Sequence, residues 1–179
     1  LAASYTDNPV SWITFLITVG GALTLITLER FFPYTPNQRL FRPGFFNDFF
    51  WYSVVQSYVL GLIIFGLIDV IDNVAPFERV HLVRDLPVWL QVLIFLVLHD
   101  FYIYWFHRFQ HNSKYFWRTH EAHHSTEDVD WLSGSRSHSL EILINQTVEF
   151  LPIVLLASPE VAVIKGCVDA VWGMYIHSN

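Results

Sequence analysis

Apolar residues arrive in long blocks, separated by short polar segments. Val10 to Leu28 is an uncharged run of about 19 residues, the length a helix needs to cross the hydrocarbon core of a bilayer. It ends at Glu29-Arg30-Phe31-Phe32-Pro33, where the proline discourages further helix. The next stretch, Tyr34 to Asp48, holds Pro36, Pro43, Gly44, Arg39 and Arg42 and reads as an interfacial loop. A second span is expected over 49–68. It opens with Phe49-Phe50-Trp51-Tyr52, aromatics suited to the membrane–water interface, and closes at Asp69 and Asp72. A short polar connection over 73–85 leads to a third span over 86–106. Residues 107–141 are polar and non-spanning. Blocks 142–157 and 161–176, divided at Pro159, read as a helical hairpin that only partly penetrates the bilayer. The expected fold class is all-α: a multi-pass transmembrane helical protein, 1–179 forming a single membrane domain with a cytoplasmic histidine-rich metal-binding cap.

Composition agrees with the pattern. Of the 179 residues, 53% are hydrophobic and only 15% charged, against about 25% charged in a soluble domain. The formal net charge is −6 with histidine neutral, and no basic stripe is present to pair with phosphates, so nucleic acid is not an expected partner. The single cysteine, Cys167, excludes an internal disulfide framework and a thiolate metal site, and reads as a small core residue. The chain starts without Met and stops at Asn179 after an apolar block, so it is expected to be part of a longer polypeptide.

The basic residues orient the spans. With the N-terminus outside, Arg30, Arg39 and Arg42 fall in a cytoplasmic loop, and Arg108, Lys114, Arg118 and Arg136 fall in the histidine-rich region on the same side. Arg79, Arg84 and Lys165 are left for the opposite face. The expected location is a membrane, a bacterial cytoplasmic membrane before the endoplasmic reticulum, with His177 returned to the cytoplasmic side.

That orientation matters because five histidines fall within 18 residues, as His107-x-x-x-His111 and His120-x-x-His123-His124. On a helix advancing about 100° per residue, Asp100, Tyr104, His107 and His111 lie within about 60° of one another. One stripe at the cytoplasmic end of the third span would then present a carboxylate, a phenol and two imidazoles. His120, His123 and His124 fit within about 100° of helix surface. Imidazole suits iron, zinc or copper, and five imidazoles exceed the roughly four that a structural zinc takes, which points to two metal ions. Ionisable groups at a membrane edge are costly unless functional. His81, alone in the polar loop, reads as a surface residue. His99 points about 100° away from the Asp100 stripe and reads as an outer-shell or helix-packing residue.

The stretch from His99-Asp100-Phe101-Tyr102 through His107 to His111, followed by His120-Glu121-Ala122-His123-His124-Ser125, resembles the first two histidine boxes of the fatty acid hydroxylase/sterol desaturase superfamily. The eight-residue gap between His111 and His120 fits that family better than the acyl-CoA desaturases. The resemblance implies that His107, His111, His120, His123 and His124 are metal ligands, with His177 as a later one. Ser135-Arg136-Ser137-His138-Ser139-Leu140-Glu141 is similar to a family Arg-x-His-x-x-Glu segment. It implies supporting roles for Arg136, His138 and Glu141, while Asp100, His99 and Tyr104 are candidates to orient the imidazoles or shape the site. The implied activity is oxygen-dependent hydroxylation or desaturation of a fatty acid, sterol, carotenoid or ether lipid. Its cofactors would be two iron ions, with zinc as a substitute, and dioxygen would be co-substrate. The implied partners are a membrane lipid substrate and an external electron-donor protein. A further His-x-x-His-His box, which the family carries downstream, does not occur before Asn179.

Three other readings compete. His120-Glu121-x-x-His124 matches the zinc metalloprotease pattern, with Glu121 as general base, but leaves His107, His111 and His123 without a role. Glu121-x-x-His124 also matches half of a ferritin-like carboxylate site, whose second half is missing. A non-catalytic subunit of a larger membrane assembly, built on a degenerate hydroxylase fold, would explain the missing third box.

Overall fold

Apolar blocks become helices because, in hydrocarbon, only intrahelical bonding satisfies every backbone N–H and C=O. The computed structural model describes residues 9–74 and 83–179, and His81 and Arg79 lie outside the described residues. Helix α1 is Pro9–Phe31, α2 is Ser57–Val74, α3 is Val88–Asn112, α4 is Lys114–His120, α5 is Ser139–Leu156 and α6 is Pro159–Ile176. No strand occurs among the described residues, as the all-α reading requires. Four helical stretches are long and apolar enough to cross a membrane: Val10–Phe31, Asn47–Ile71, Val88–Asn112 and Ser139–Leu156. The last covers most of the block 142–157, the first arm of the expected hairpin. At 18 residues, α5 is about 27 Å long, close to the thickness of the hydrocarbon core.

Other boundaries shift outward. The second span begins at Asn47 as a ten-residue π-helix, Asn47–Gln56, that runs directly into α2. There the hydroxyls of Ser53 and Ser57 donate to the carbonyls five residues back, Asp48 O and Tyr52 O, at 3.0 and 3.1 Å. The third span does not stop at 106 but carries His107 and His111 on its last turns.

Helix α1 packs along α6, α2 along α5, and α3 against both α5 and α6. The interior inverts the soluble pattern. Apolar cores are small: Phe95, Ile153, Ala157, Val161 and Ala162 in one cluster, Leu60, Ile64 and Ile68 in another. Arg42, Asp48, Gln91, Gln110, His120 and Lys165 are buried instead, while Trp12, Phe15, Leu16, Leu62 and Phe65 face outward. Apolar surface of this extent marks a lipid-facing exterior. Lys165, expected on the face opposite the cap, is instead fully buried within α6, its ammonium 2.5 Å from both Glu149 and Asp169. Opposite charges inside the bundle made burial possible where the sequence pattern alone suggested a loop-proximal cation.

Candidate metal centre

Four short-range geometries bring the histidines together. His107 and His111, one helical turn apart at the end of α3, place their Nε2 atoms 3.0 Å from each other. Ser113 then adopts an extended conformation (φ −109°, ψ 119°), and the chain turns back as α4. Helix α4 ends on His120. Its ring centroid lies 4.5 Å from His107 and 5.0 Å from His111. A 3₁₀ turn, His123–Ser125, follows and carries His124, whose Nε2 is 3.1 Å from His120 Nε2. One ligating nitrogen from each of His107, His111, His120 and His124 lies within 4.8 Å of the other three, a set that could hold a metal ion. His123 adjoins this group, 5.3 Å from His120 and 5.2 Å from His124 by ring centroid. It faces His177, brought in at the end of α6, with an Nε2–Nε2 distance of 3.2 Å.

The outer nitrogens explain why the inner ones are available. His123 Nδ1 is 3.1 Å from the Arg136 carbonyl, and His177 Nδ1 is 2.7 Å from the Gly173 carbonyl. A carbonyl only accepts, so each Nδ1 carries the hydrogen. In the neutral rings both Nε2 atoms then present lone pairs to each other across 3.2 Å. That juxtaposition is repulsive unless a cation lies between or beside them. His120 Nδ1 is likewise tied to Glu141 Oε1 at 2.9 Å, leaving Nε2 toward the cluster. Anchoring of Nδ1 by a carbonyl or carboxylate is how proteins fix the tautomer of a metal-ligating imidazole. The residues present therefore fit a metal-binding site, in two adjoining groups.

Burial favours the neutral form of His120, His123 and His124. Desolvation, reinforced by neighbouring His124 and His111, lowers His120 from 6.5 to about 4. Desolvation and then His177 bring His123 to about 4 as well. His124 is lowered too, chiefly by desolvation and then by His111. A neutral imidazole is the form that ligates.

A charged scaffold holds the loop that supplies those anchors. The Arg136 guanidinium donates from Nε to Asp48 Oδ1 (2.8 Å) and from Nη2 to Asp48 Oδ2 (3.0 Å). Arg42 bridges Asp48 and Asp130 at 2.8 and 2.9 Å. Arg42 and Asp48 are both buried, 2% and 0% exposed, so the π-helical turn, the loop at 42 and the cap form one ion-paired unit. Gln56, at the other end of the π-helix, donates to the Ser137 carbonyl at 2.8 Å. Sequence reasoning passed over Asp48, Gln56 and Asp130. The Arg42-Pro43 pair was the one signal near them. It also passed over Gly134. A Cβ there would lie 2.5 Å from His177 Nδ1, so only glycine admits the ring.

Not every candidate reaches the cluster. Asp100 shares the angular stripe of His107 but lies seven residues back along α3, about 10 Å along the axis. It is exposed and makes no described side-chain contact with an imidazole. The Tyr104 hydroxyl accepts from Arg108 at 3.2 Å and faces outward. His99 turns into the bundle, 3.5 Å from Glu149 and 3.6 Å from Asp169. His138 accepts from the Leu140 backbone N–H at 3.1 Å and caps α5. Arg136 and Glu141 do touch clustered imidazoles, one through its carbonyl and one through its carboxylate. The His120-Glu121-x-x-His124 segment is not one helix, because α4 ends at His120 and Glu121 is exposed.

Comparison with known proteins covers the same half of the chain. A fatty acid hydroxylase family model matches residues 92–179, which hold all six clustered imidazoles and Glu141. Ornithine lipid hydroxylase OlsE of Rhizobium tropici is 32% identical over 94 residues, 52% of this chain and 28% of that protein. Human alkylglycerol monooxygenase is 30% identical over 80 residues, 45% of this chain and 18% of its own length. The zebrafish (Danio rerio) alkylglycerol monooxygenase is 31% identical over 91 residues, 51% of this chain and 20% of its own. The matched stretch thus spans under a third of each relative. No solved structure matches the chain. The histidine spacing, the family match and these relatives agree: residues 92–179 form a domain of the fatty acid hydroxylase family.

Proposed function

We propose that this chain is the metal-binding membrane core of an oxygen-dependent hydroxylase acting on a lipid-like substrate, with a pair of iron ions as its cofactor. The observation that carries the reading is the convergence of six imidazoles in two adjoining groups, with the outer nitrogens of His120, His123 and His177 already engaged. His107, His111, His120 and His124 would hold one ion and His123 with His177 the other. Nitrogen-ligated iron, when bound and reduced, supplies dioxygen activation.

The protein's own part is positional. Glu141 and the Arg136 carbonyl orient His120 and His123, and Gly134 admits His177. Lipid-facing helices around the cluster suit delivery of an acyl or ether chain from the bilayer. Hydroxylation is preferred to desaturation because the relatives are a hydroxylase and monooxygenases by name. A separate electron-donor protein and a cytoplasmic position for the cap complete the proposal. The cap would sit on the side enriched in Arg and Lys.

The test is metal analysis joined to isotope-labelled dioxygen. Protein purified in lipid nanodiscs should carry iron and incorporate labelled oxygen into an added lipid when given a reductant. A single zinc, with peptidase activity lost in Glu121→Gln, would replace this reading with the metalloprotease.

A further inference from the structure

A cavity of about 580 Å³ opens beside the end of α1, walled by Glu29, Arg30, Arg39, Asp130, Trp131 and Asn179 among others. That volume is within the roughly 300–1,000 Å³ of small-ligand sites. Its two acids are already engaged by the protein. Glu29 Oε1 accepts from the backbone N–H groups of Trp131 (2.7 Å) and Asn179 (2.9 Å). Asp130 Oδ1 accepts from Arg42 at 2.9 Å and from the backbone N–H of Ser133 at 2.9 Å. Its two arginines are engaged far less. Arg30 gives one bond, to the Gln38 carbonyl at 3.1 Å, and Arg39 has no described side-chain partner. Neither forms an ion pair with a described residue, although Arg42, Arg136 and Lys165 all do. The cationic donors of the cavity without an ion pair are therefore two guanidinium groups, whose planar forks match the oxygens of a phosphate or carboxylate.

Location narrows the occupant. Phe31, Phe32 and Tyr34, next in the chain, are 75%, 77% and 91% exposed, the aromatic dress of a bilayer surface. Asn179, in the cavity wall, is two residues from His177, so the Cα atoms of wall and ligand are within about 7 Å. An amphiphile whose head sat in this cavity would have its chain beside the metal centre.

We propose that the cavity binds the anionic oxygen headgroup, phosphate or carboxylate, of a lipid substrate, with Arg30 and Arg39 as its clamp. The inference rests on the lipid-substrate reading given above and specifies the substrate class. The same anionic chemistry could be offered by a soluble phosphate, and the probes separate the two.

The experiment measures binding to purified full chain of three probes: dihexanoyl phosphatidic acid, dihexanoylglycerol and inorganic phosphate. Wild type should bind the phosphatidic acid at least about tenfold tighter than the uncharged glyceride or free phosphate. Arg39→Gln should lose about tenfold on phosphatidic acid and nothing on the glyceride, and the Arg30→Lys, Arg39→Lys protein should keep part of the preference. Unchanged metal content in each variant certifies the fold. Equal affinity of wild type for the two lipids overturns the proposal, as does full phosphatidic acid affinity in Arg39→Gln. Free phosphate binding as tightly as the lipid would also overturn it, making the cavity a soluble-anion site. A protein that binds the lipid as stated but holds no metal fails the functional reading and leaves the cavity standing. Lipid hydroxylation with the same KM in wild type and Arg39→Gln does the reverse.

Discussion

Two polar clusters interrupt this apolar molecule, and they handle charge in opposite ways. About 12 Å deeper along α3 than His107, His99 meets Glu149 and Asp169, with the Lys165 ammonium 2.5 Å from each carboxylate. His99, Glu149 and Asp169 have ligand atoms close enough to hold a metal, just as the four imidazoles above them do. The deeper group, however, brings its own cation. The upper group gathers six imidazoles, three of them (His120, His123 and His177) with Nδ1 engaged, and their Nε2 atoms confront one another in pairs with no cation from the protein. The deeper cluster is neutralised from within as a structural lock, whereas the upper one has the donors to take a cation from outside. The lock joins α3, α5 and α6, the helices that also deliver His107, Glu141 and His177.

Substitutions at either cluster test this difference. The largest expected effect is at the open cluster. His120→Ala should lose the ion of the four-imidazole group and bring lipid oxidation below detection, with elemental analysis and product assay as the readout. Membrane insertion should survive, since His120 lies outside the spans; a variant retaining full metal would refute the assignment.

Next comes Lys165→Met, which strips the deeper cluster of its ammonium. Leaving a buried charge uncompensated costs about 3–5 kcal/mol, read by denaturation in detergent. Adding Glu149→Gln and Asp169→Asn should recover most of that loss, because the remaining group is neutral. If the single change is harmless, the lock is not a lock. If its stability becomes dependent on added divalent cation, the deeper group has become a receiving site, which sharpens the contrast.

Glu141→Gln is milder. It keeps an oxygen near His120 Nδ1 but removes the charge that makes the imidazole a better ligand, and metal affinity should fall about 10- to 100-fold in competition titrations. Smallest is the pH effect. His120 and His123 lie near 4 when folded and at 6.5 when unfolded, so the unfolded chain binds protons that the folded one does not. Stability of the metal-free protein should therefore be highest above about 6.5 and fall as pH drops from there toward 4. Thermal melts of chelator-treated protein check the sign; stability rising on acidification would contradict it.

Much of this was legible in the chain, because it depends on local repeats. Span-length apolar runs, the proline stops, the i, i+4 pair His107/His111 and the packed spacing of His120, His123 and His124 are all properties of short windows. Helical geometry turns them into structure with little help from elsewhere. The angular stripe placed His107 and His111 correctly but overreached to Asp100 and Tyr104, because angle fixes a face and says nothing about depth along the axis. The expected spans stopped short of Asn47 and Asn112 for a related reason. Polar and aromatic residues at an interface carry no strong period.

From sequence alone came a helical membrane chain with an imidazole cluster, spaced as in a known family, that could hold metal. What only the tertiary structure decided is which long-range partners make that site work. Asp48 pairs with Arg136 across 88 residues, His177 meets His123 across 54, and Gly134 leaves room for the His177 ring. Lys165 finds its carboxylates on two helices. The physical reason is that hydrogen bonds and ion pairs between distant segments depend on how helices pack. No window of the chain encodes that packing on its own.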